Sequence, residues 1–262
     1  MSLDIKNLVL GYEDKIIVNN IDISISKGEI TILIGANGCG KSTLLSGMSR
    51  LLIPKEGNVF LEGKSIHDYK PKELAKKLAI LPQGPIAPEG ITVKELCYFG
   101  RNPYKSLFGG RSKEDEEIVN WAIEVTGLKE FEDRKLDSLS GGQRQRAWIA
   151  MSLTQDTDIL LLDEPTTYLD ISYQLEVMEL VRTINEKFDI TIVMVLHELN
   201  QASKYSDRLI IMKSGSIVCD GEPNKIINKD IIKKVYNIEC DIDKDPITNK
   251  PRIHPIKTIK IA

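Results

Sequence analysis

The nine residues Gly35-Ala36-Asn37-Gly38-Cys39-Gly40-Lys41-Ser42-Thr43 constrain this chain more than any other segment. They fit G-x-x-x-x-G-K-[ST] and stand between the apolar run EITILI (29–34) and a helical pattern at about 42–52. Glycines in such a loop let the backbone curl closely, so that successive N–H groups and the N-terminus of the next helix point at phosphate oxygens. Lys41 would then neutralise β- and γ-phosphates, and the Ser42 hydroxyl would be a ligand for Mg²⁺. The rest of the chain must supply an α/β frame for that loop. DILLL (158–162) and DITIVMVL (189–196) are near-continuous apolar runs of the kind found in parallel strands covered on both faces. Helical patterns at about 71–78, 112–126, 141–153 and 171–187 alternate with the strands.

Residues 3–32 read as β structure, with a turn at 13–15 and with Ile21, Ile23 and Ile25 alternating against polar neighbours. The stretch 84–111 breaks the rhythm with its prolines and glycines and reads as a linker into an inserted helical lobe ending near Leu153, or else as a long surface loop. After a hairpin-like turn at 213–216, short helices at about 223–236 lead into an extended, proline-punctuated end. A net charge of -3 lacks the basic excess of a non-specific nucleic-acid binder, so no nucleic-acid partner is expected. The four scattered cysteines form no zinc or disulfide pattern, which suits a reducing compartment. No export signal opens the sequence, and no apolar run approaches the ~20 residues of a membrane span. Any membrane role is therefore expected through a partner.

Two more groups carry chemistry. Asp163 and Glu164 follow a buried strand, at the end where open α/β sheets bind ligands. There Asp163 would hold Mg²⁺ and Glu164 would act as general base on an attacking water; alone, the pair also reads as a helix cap before Pro165. Ser140-Gly141-Gly142-Gln143 opens a helical pattern and would form a second anion-seeking helix end. Two such ends about 100 residues apart suggest one nucleotide served by two subunits. Taken singly, Tyr12 reads as a half-buried sheet aromatic, Gln83 as a loop amide and His197 as a hydrogen-bonded polar residue. Cys39 reads as a small filler whose thiol would be open to alkylation without ATP.

In their order along residues 2–235 these features resemble the ATP-binding cassette (ABC) ATPases. The resemblance assigns Tyr12 to adenine stacking and 35–43 to the Walker A loop. It assigns Gln83 to the Mg²⁺ and the attacking water, 139–143 to the signature, 159–164 to Walker B, Asp170 to the dimer-forming D-loop and His197 to the γ-phosphate. It implies a P-loop core with an antiparallel β subdomain and an inserted helical subdomain, in a head-to-tail homodimer that takes ATP and Mg²⁺. The expected division is an ATPase domain over 2–236, with its core in 2–84 and 154–236 and the helical subdomain at about 85–153, followed by a C-terminal extension over 237–262. PTTYLDISYQLEVMELV, LHELNQA, FGRNPY and LSGGQRQRAWIAM are similar to the ATPases of ferric siderophore uptake, with cobalamin and haem importers as near relatives. That branch implies ATP-driven uptake of a metal chelate at the cytoplasmic face of the membrane, with permease subunits as direct partners and an extracytoplasmic binding protein as an indirect one. A soluble ABC ATPase outside transport is the alternative of another class. A permease groove is expected from Ile86, Ile91, Val93, Leu96, Tyr98 and Phe99, the alternative being that they pack the helical lobe.

Overall fold

The computed structural model describes residues 2–105 and 110–259. Residues 106–109, within the expected linker, and 260–262, at the end of the C-terminal extension, lie outside them. The chain forms two compact units, Met1–His67 with Thr191–Ala262, and Asp68–Ile190.

The first unit opens on the expected hairpin, β1 (Leu3–Tyr12) and β2 (Lys15–Ile25), whose alternation buries Val18, Ile21, Ile23 and Ile25. β3 (Ile30–Gly35) is buried throughout and leads through the glycine-rich loop into α1 (Lys41–Met48). β4 (Glu56–Leu61) and β5 (Lys64–Ser65), which the sequence reading did not anticipate, complete an antiparallel sheet in the order β2-β1-β4-β5.

In the second unit, α2 (Pro71–Ala75) is shorter than its pattern suggested, because the chain turns into β6 (Leu78–Leu81). The supposed linker at 84–111 contains a helix, α3 (Val93–Gly100), opened by a Thr92/Glu95 capping box. α4 (Lys113–Val125) and α5 (Gly141–Leu153) pack with it into a helical lobe. The Arg101 guanidinium is buried at its centre, where Nε donates to Asp115 Oδ1 at 2.7 Å and a terminal nitrogen to the Thr154 carbonyl at 3.1 Å. The arginine of FGRNPY is thus a packing residue, with its charge compensated where it is buried. β7 (Ile159–Asp163) pairs parallel with β6, and α6 (Ile171–Phe188) follows, burying Val177, Met178, Val181 and Ile184 as one stripe. Asp189 ends α6 in the left-handed region, so the next strand starts later than the apolar run 189–196 suggested.

The chain re-enters the first unit with β8 (Thr191–Val195) and α7 (Leu199–Tyr205), followed by β9 (Arg208–Lys213) and β10 (Ser216–Gly221). Within this unit the strands run β10-β9-β3-β8, with β9 and β8 parallel to β3 on either side. α8 (Pro223–Ile226) and α9 (Lys229–Tyr236) match the short helices expected there. The extended end is a second hairpin, β11 (Ile238–Lys244) with β12 (Pro251–Thr258), packed against α9 and α7.

Candidate functional site

The glycine-rich loop leaves the carboxyl end of β3 and wraps Lys41. The Lys41 ammonium, only 5% exposed, donates to the Gly35 carbonyl at 2.9 Å and the Ala36 carbonyl at 3.3 Å and lies 4.0 Å from Cys39 Sγ. Gly40 is the N-cap of α1 at φ 104, a left-handed conformation that suits only glycine, and it brings no side chain to cap the helix. The other described helices of eight residues or more all have a side-chain cap at this position. α1 therefore begins without a side-chain cap, at the end that favours an anion. Ser42 and Thr43 are half-buried in its first turn, whereas Asn37 and Gly38 are exposed at the tip. Burial pushes the Cys39 thiol up, against the pull of Lys41, and leaves it 4% exposed. Cys39 is thus the small buried filler expected of it, and its thiol, neither accessible nor prone to ionise, is poorly placed for alkylation.

β8 ends beside β3, with Leu33 opposite Val195 and the Leu196 N–H bonded to the Leu33 carbonyl. His197 follows directly and is exposed at the edge from which the phosphate loop springs. Glu198 is the N-cap of α7, its carboxylate accepting from the Asn200 and Gln201 N–H groups at 3.0 Å. The acid of the HEL sequence thus has a helix-capping task. Tyr12 ends β1 with its ring 55% exposed, so the half-buried alternative does not hold.

In the second unit, Asp163 ends β7, and Glu164 turns the chain away at φ 52, an uncommon value for a side-chain-bearing residue. Glu164 Oε2 accepts from Gln83 Nε2 at 2.6 Å and from the Thr167 hydroxyl at 3.0 Å. This brings together two residues that the sequence connects only through family resemblance. The acid pair is not a helix cap: α6 begins at Ile171, and Asp170 caps it by accepting from the Ser172 and Tyr173 N–H groups. The Ser172 hydroxyl and the Tyr173 N–H hold the Asp170 carboxyl below its ordinary range.

Ser140 caps α5 in a reciprocal box, its hydroxyl accepting from Gln143 N–H at 3.3 Å while Gln143 Oε1 accepts from Ser140 N–H at 3.0 Å. The adjacent glycines differ. A Cβ added at Gly142 would overlap the Tyr173 ring of α6, whereas one at Gly141 would meet only Leu169, at an ordinary 3.4 Å. Packing within the chain accounts for Gly142 and leaves Gly141, which is exposed, unaccounted for.

Of the six expected groove residues, Ile91, Val93, Leu96 and Tyr98 are buried in the helical lobe, which corrects the groove to Ile86 and Phe99, 94% and 43% exposed. Helical periodicity at these positions signals core, as the alternative held. An open cavity of about 380 Å³ remains beside Phe99, with Arg111 stacked 3.9 Å over the Tyr98 ring at its wall. Among the described residues, no helix is long and apolar enough to cross a membrane.

Residues 18–167, more than half of the chain, match the ABC transporter family. The iron(3+)-hydroxamate import ATP-binding protein FhuC of Bacillus subtilis (strain 168) is 50% identical over 230 residues, 88% of this chain and 86% of FhuC. The ferric enterobactin transport ATP-binding protein FepC of Escherichia coli (strain K12) is 46% identical over 226 residues, 86% of this chain and 83% of FepC. Among solved structures, the dimeric structure of MJ0796, a bacterial ABC transporter cassette, superposes with a TM-score of 0.73 at 29% identity, over 84% of this chain and 98% of MJ0796. The chain belongs to the ABC transporter family, as one of its nucleotide-binding ATPases.

Proposed function

We propose that this chain is the ATP-hydrolysing subunit that energises uptake of an iron(III)-siderophore, or a related metal chelate, across the cytoplasmic membrane. The observation that carries the ATPase part is the 2.6 Å bond from Gln83 to Glu164, which aims a strand-end carboxylate through an amide. The likeness to FhuC, named for iron(3+)-hydroxamate import, and to FepC, named for ferric enterobactin transport, supports the cargo.

Each residue takes its role from its local geometry and from the family. Tyr12 stacks on adenine, for which an exposed flat ring is suited. The backbone from Gly35 to Thr43 and the Lys41 ammonium bind the phosphates, Lys41 exchanging its bonds to the loop carbonyls for phosphate oxygens. Glu164 takes a proton from the attacking water, with Gln83 and Thr167 fixing its orientation. His197 contacts the γ-phosphate. Mg²⁺ fits the donors on offer, because the Ser42 hydroxyl, the Asp163 carboxylate and the Gln83 amide carbonyl are oxygens, and an ion completed by phosphate and water needs no all-protein cage. When bound, the ion neutralises charge on the phosphate oxygens.

The signature Ser140-Gly141-Gly142-Gln143 serves the ATP of a second copy. Gly141 supports this, being exposed and having no steric need for glycine within its own chain. Exposed apolar side chains beside Asp170, namely Tyr168 (96%), Ile171 (74%) and Leu175 (38%), are suited to burial against that copy. The helical lobe, about 85–153, carries the permease contact near Phe99, at the cytoplasmic face of the membrane. The binding protein on the far side takes part only through the permease.

Uptake of radio-iron supplied as a ferric hydroxamate tests the proposal in cells lacking this protein. Wild-type chain should restore uptake and Glu164→Gln should not. Restoration of cobalamin or haem uptake in place of ferric hydroxamate would reassign the cargo. Phe99→Ser, unlike the buried Tyr98, is the clean probe of docking: it should lower uptake and permease co-purification while the ATPase survives.

A further inference from the structure

The C-terminal hairpin is fastened to α7, the helix that starts two residues after His197. Asn200, in the first turn of that helix, pairs with the backbone of β12 as a neighbouring strand would. Its Nδ2 donates to the Ile253 carbonyl at 3.0 Å, and its Oδ1 accepts from the Ile253 N–H at 2.7 Å. The Ser203 hydroxyl, one turn further on, donates to the Pro251 carbonyl at 2.6 Å, and the Lys250 ammonium reaches the Ser206 carbonyl just beyond the helix end. The Ser203 bond is buried and the Asn200 and Lys250 bonds are partly buried, which limits competition from water. Toward the other side, the Asn200 N–H is held by the carboxylate of Glu198, the residue next to His197. One residue thus links the hairpin to the histidine loop through two contiguous sets of bonds.

The bonding is selective for backbone. An amide that both donates to and accepts from one residue's main chain fixes distance and rotation together, as a ladder pair does. Neither the phosphate loop nor Tyr12 is touched by these bonds, so what they constrain is the start of α7 and the loop before it.

We propose that Asn200 is a positioning residue for His197, and that the C-terminal hairpin acts through it as a brace on the hydrolytic step and not on nucleotide binding. This rests on the reading of His197 as the γ-phosphate contact. Loosening the brace lets the histidine loop sample other positions, and misplacement of a contact by about 1 Å suffices for a large loss of rate.

The test uses the full-length chain and measures ATP turnover against ATP concentration for Asn200→Ala, His197→Ala and the double variant. Asn200→Ala should lower kcat about tenfold with KM for ATP within about twofold of wild type, and adding it to His197→Ala should cost nothing further. Asn200→Asp, which keeps the acceptor for the Ile253 N–H but sets a second acceptor against the Ile253 carbonyl, should lower kcat at least as far as Asn200→Ala with KM again near wild type; it also serves if Asn200→Ala does not fold. An unchanged kcat in Asn200→Ala or Asn200→Asp, an equal change in kcat and KM, or full additivity with His197→Ala would overturn the brace. Wild-type kcat in His197→Ala would instead overturn the reading of the histidine, and the proposal with it.

Discussion

Two helix ends in this chain look alike in sequence and differ in what they hold. α1 and α5 both begin in glycine-rich loops of the kind that seek anions. At α1 the N-cap is Gly40, with no capping side chain and no acidic residue in the first turn, so the chain supplies no side-chain cap there. At α5 the chain already satisfies itself, because Ser140 and Gln143 close a capping box. An uncapped helix end with a buried lysine folded into it is ready to bind phosphate by its own means. A capped one is stable without phosphate, and its hydroxyl must be recruited by an anion brought from outside. The difference fits a division of labour in which each chain grips one nucleotide with α1 and completes another's with α5.

The largest expected effect lies at neither helix end. If both ends only hold phosphate, Glu164→Gln should cut turnover about a thousandfold while ATP binding, followed by a fluorescent analogue, stays near wild type. Comparable loss of binding would show that the carboxylate is part of the grip. Lys41→Ala comes next and should weaken ATP binding about a hundredfold, since it deletes the charge that α1 relies on in place of a cap. Ser140→Ala should leave the binding of ATP by the separate chain unaltered, and equal losses from the two would erase the contrast.

Smaller effects sharpen the comparison within α5. Gly142→Ala forces a methyl into Tyr173 and should cost about 2 kcal/mol, read as a lowered Tm. Gly141→Ala should leave Tm unaltered, and it should lower turnover if the open space beside it is filled by a second copy. A matching drop in Tm for the two would mean that both glycines serve packing. Smallest is the cap itself: Ser140→Ala should cost about 1 kcal/mol in chemical denaturation, a loss with no counterpart at Gly40.

What was legible in the sequence was what lies contiguous in it. The phosphate loop between EITILI and a helical pattern, and the acids after DILLL, needed only local order. α3 carried a readable signal, Thr92-x-x-Glu95, but the prolines and glycines flanking it suggested a linker. β6 is four residues long, too short for a period to show. The strands β11 and β12 bury little beyond Cys240, Pro251 and Ile253, so they carry no alternation to recognise. Long-range pairs were out of reach from residues alone. Gln83 and Glu164 lie 81 positions apart, Arg101 finds Asp115 only once the lobe packs, and Gly142 is explained by Tyr173 on another helix. The same holds for Asn200, whose partner is a backbone and leaves no trace in residue type.

The central claim is that α1 of one chain and α5 of another act on the same ATP, and mixing two damaged chains tests it most directly. Lys41→Ala and Ser140→Arg chains, each measured alone, should be nearly inactive. Mixed, they should regain hydrolysis, because a heterodimer holds one site in which an intact phosphate loop meets an intact signature, and the recovered rate should rise more steeply than first order in protein at low concentration. A mixture no more active than its separate components, or a Ser140→Arg chain that hydrolyses ATP at the wild-type rate in strict proportion to its concentration, would contradict the account.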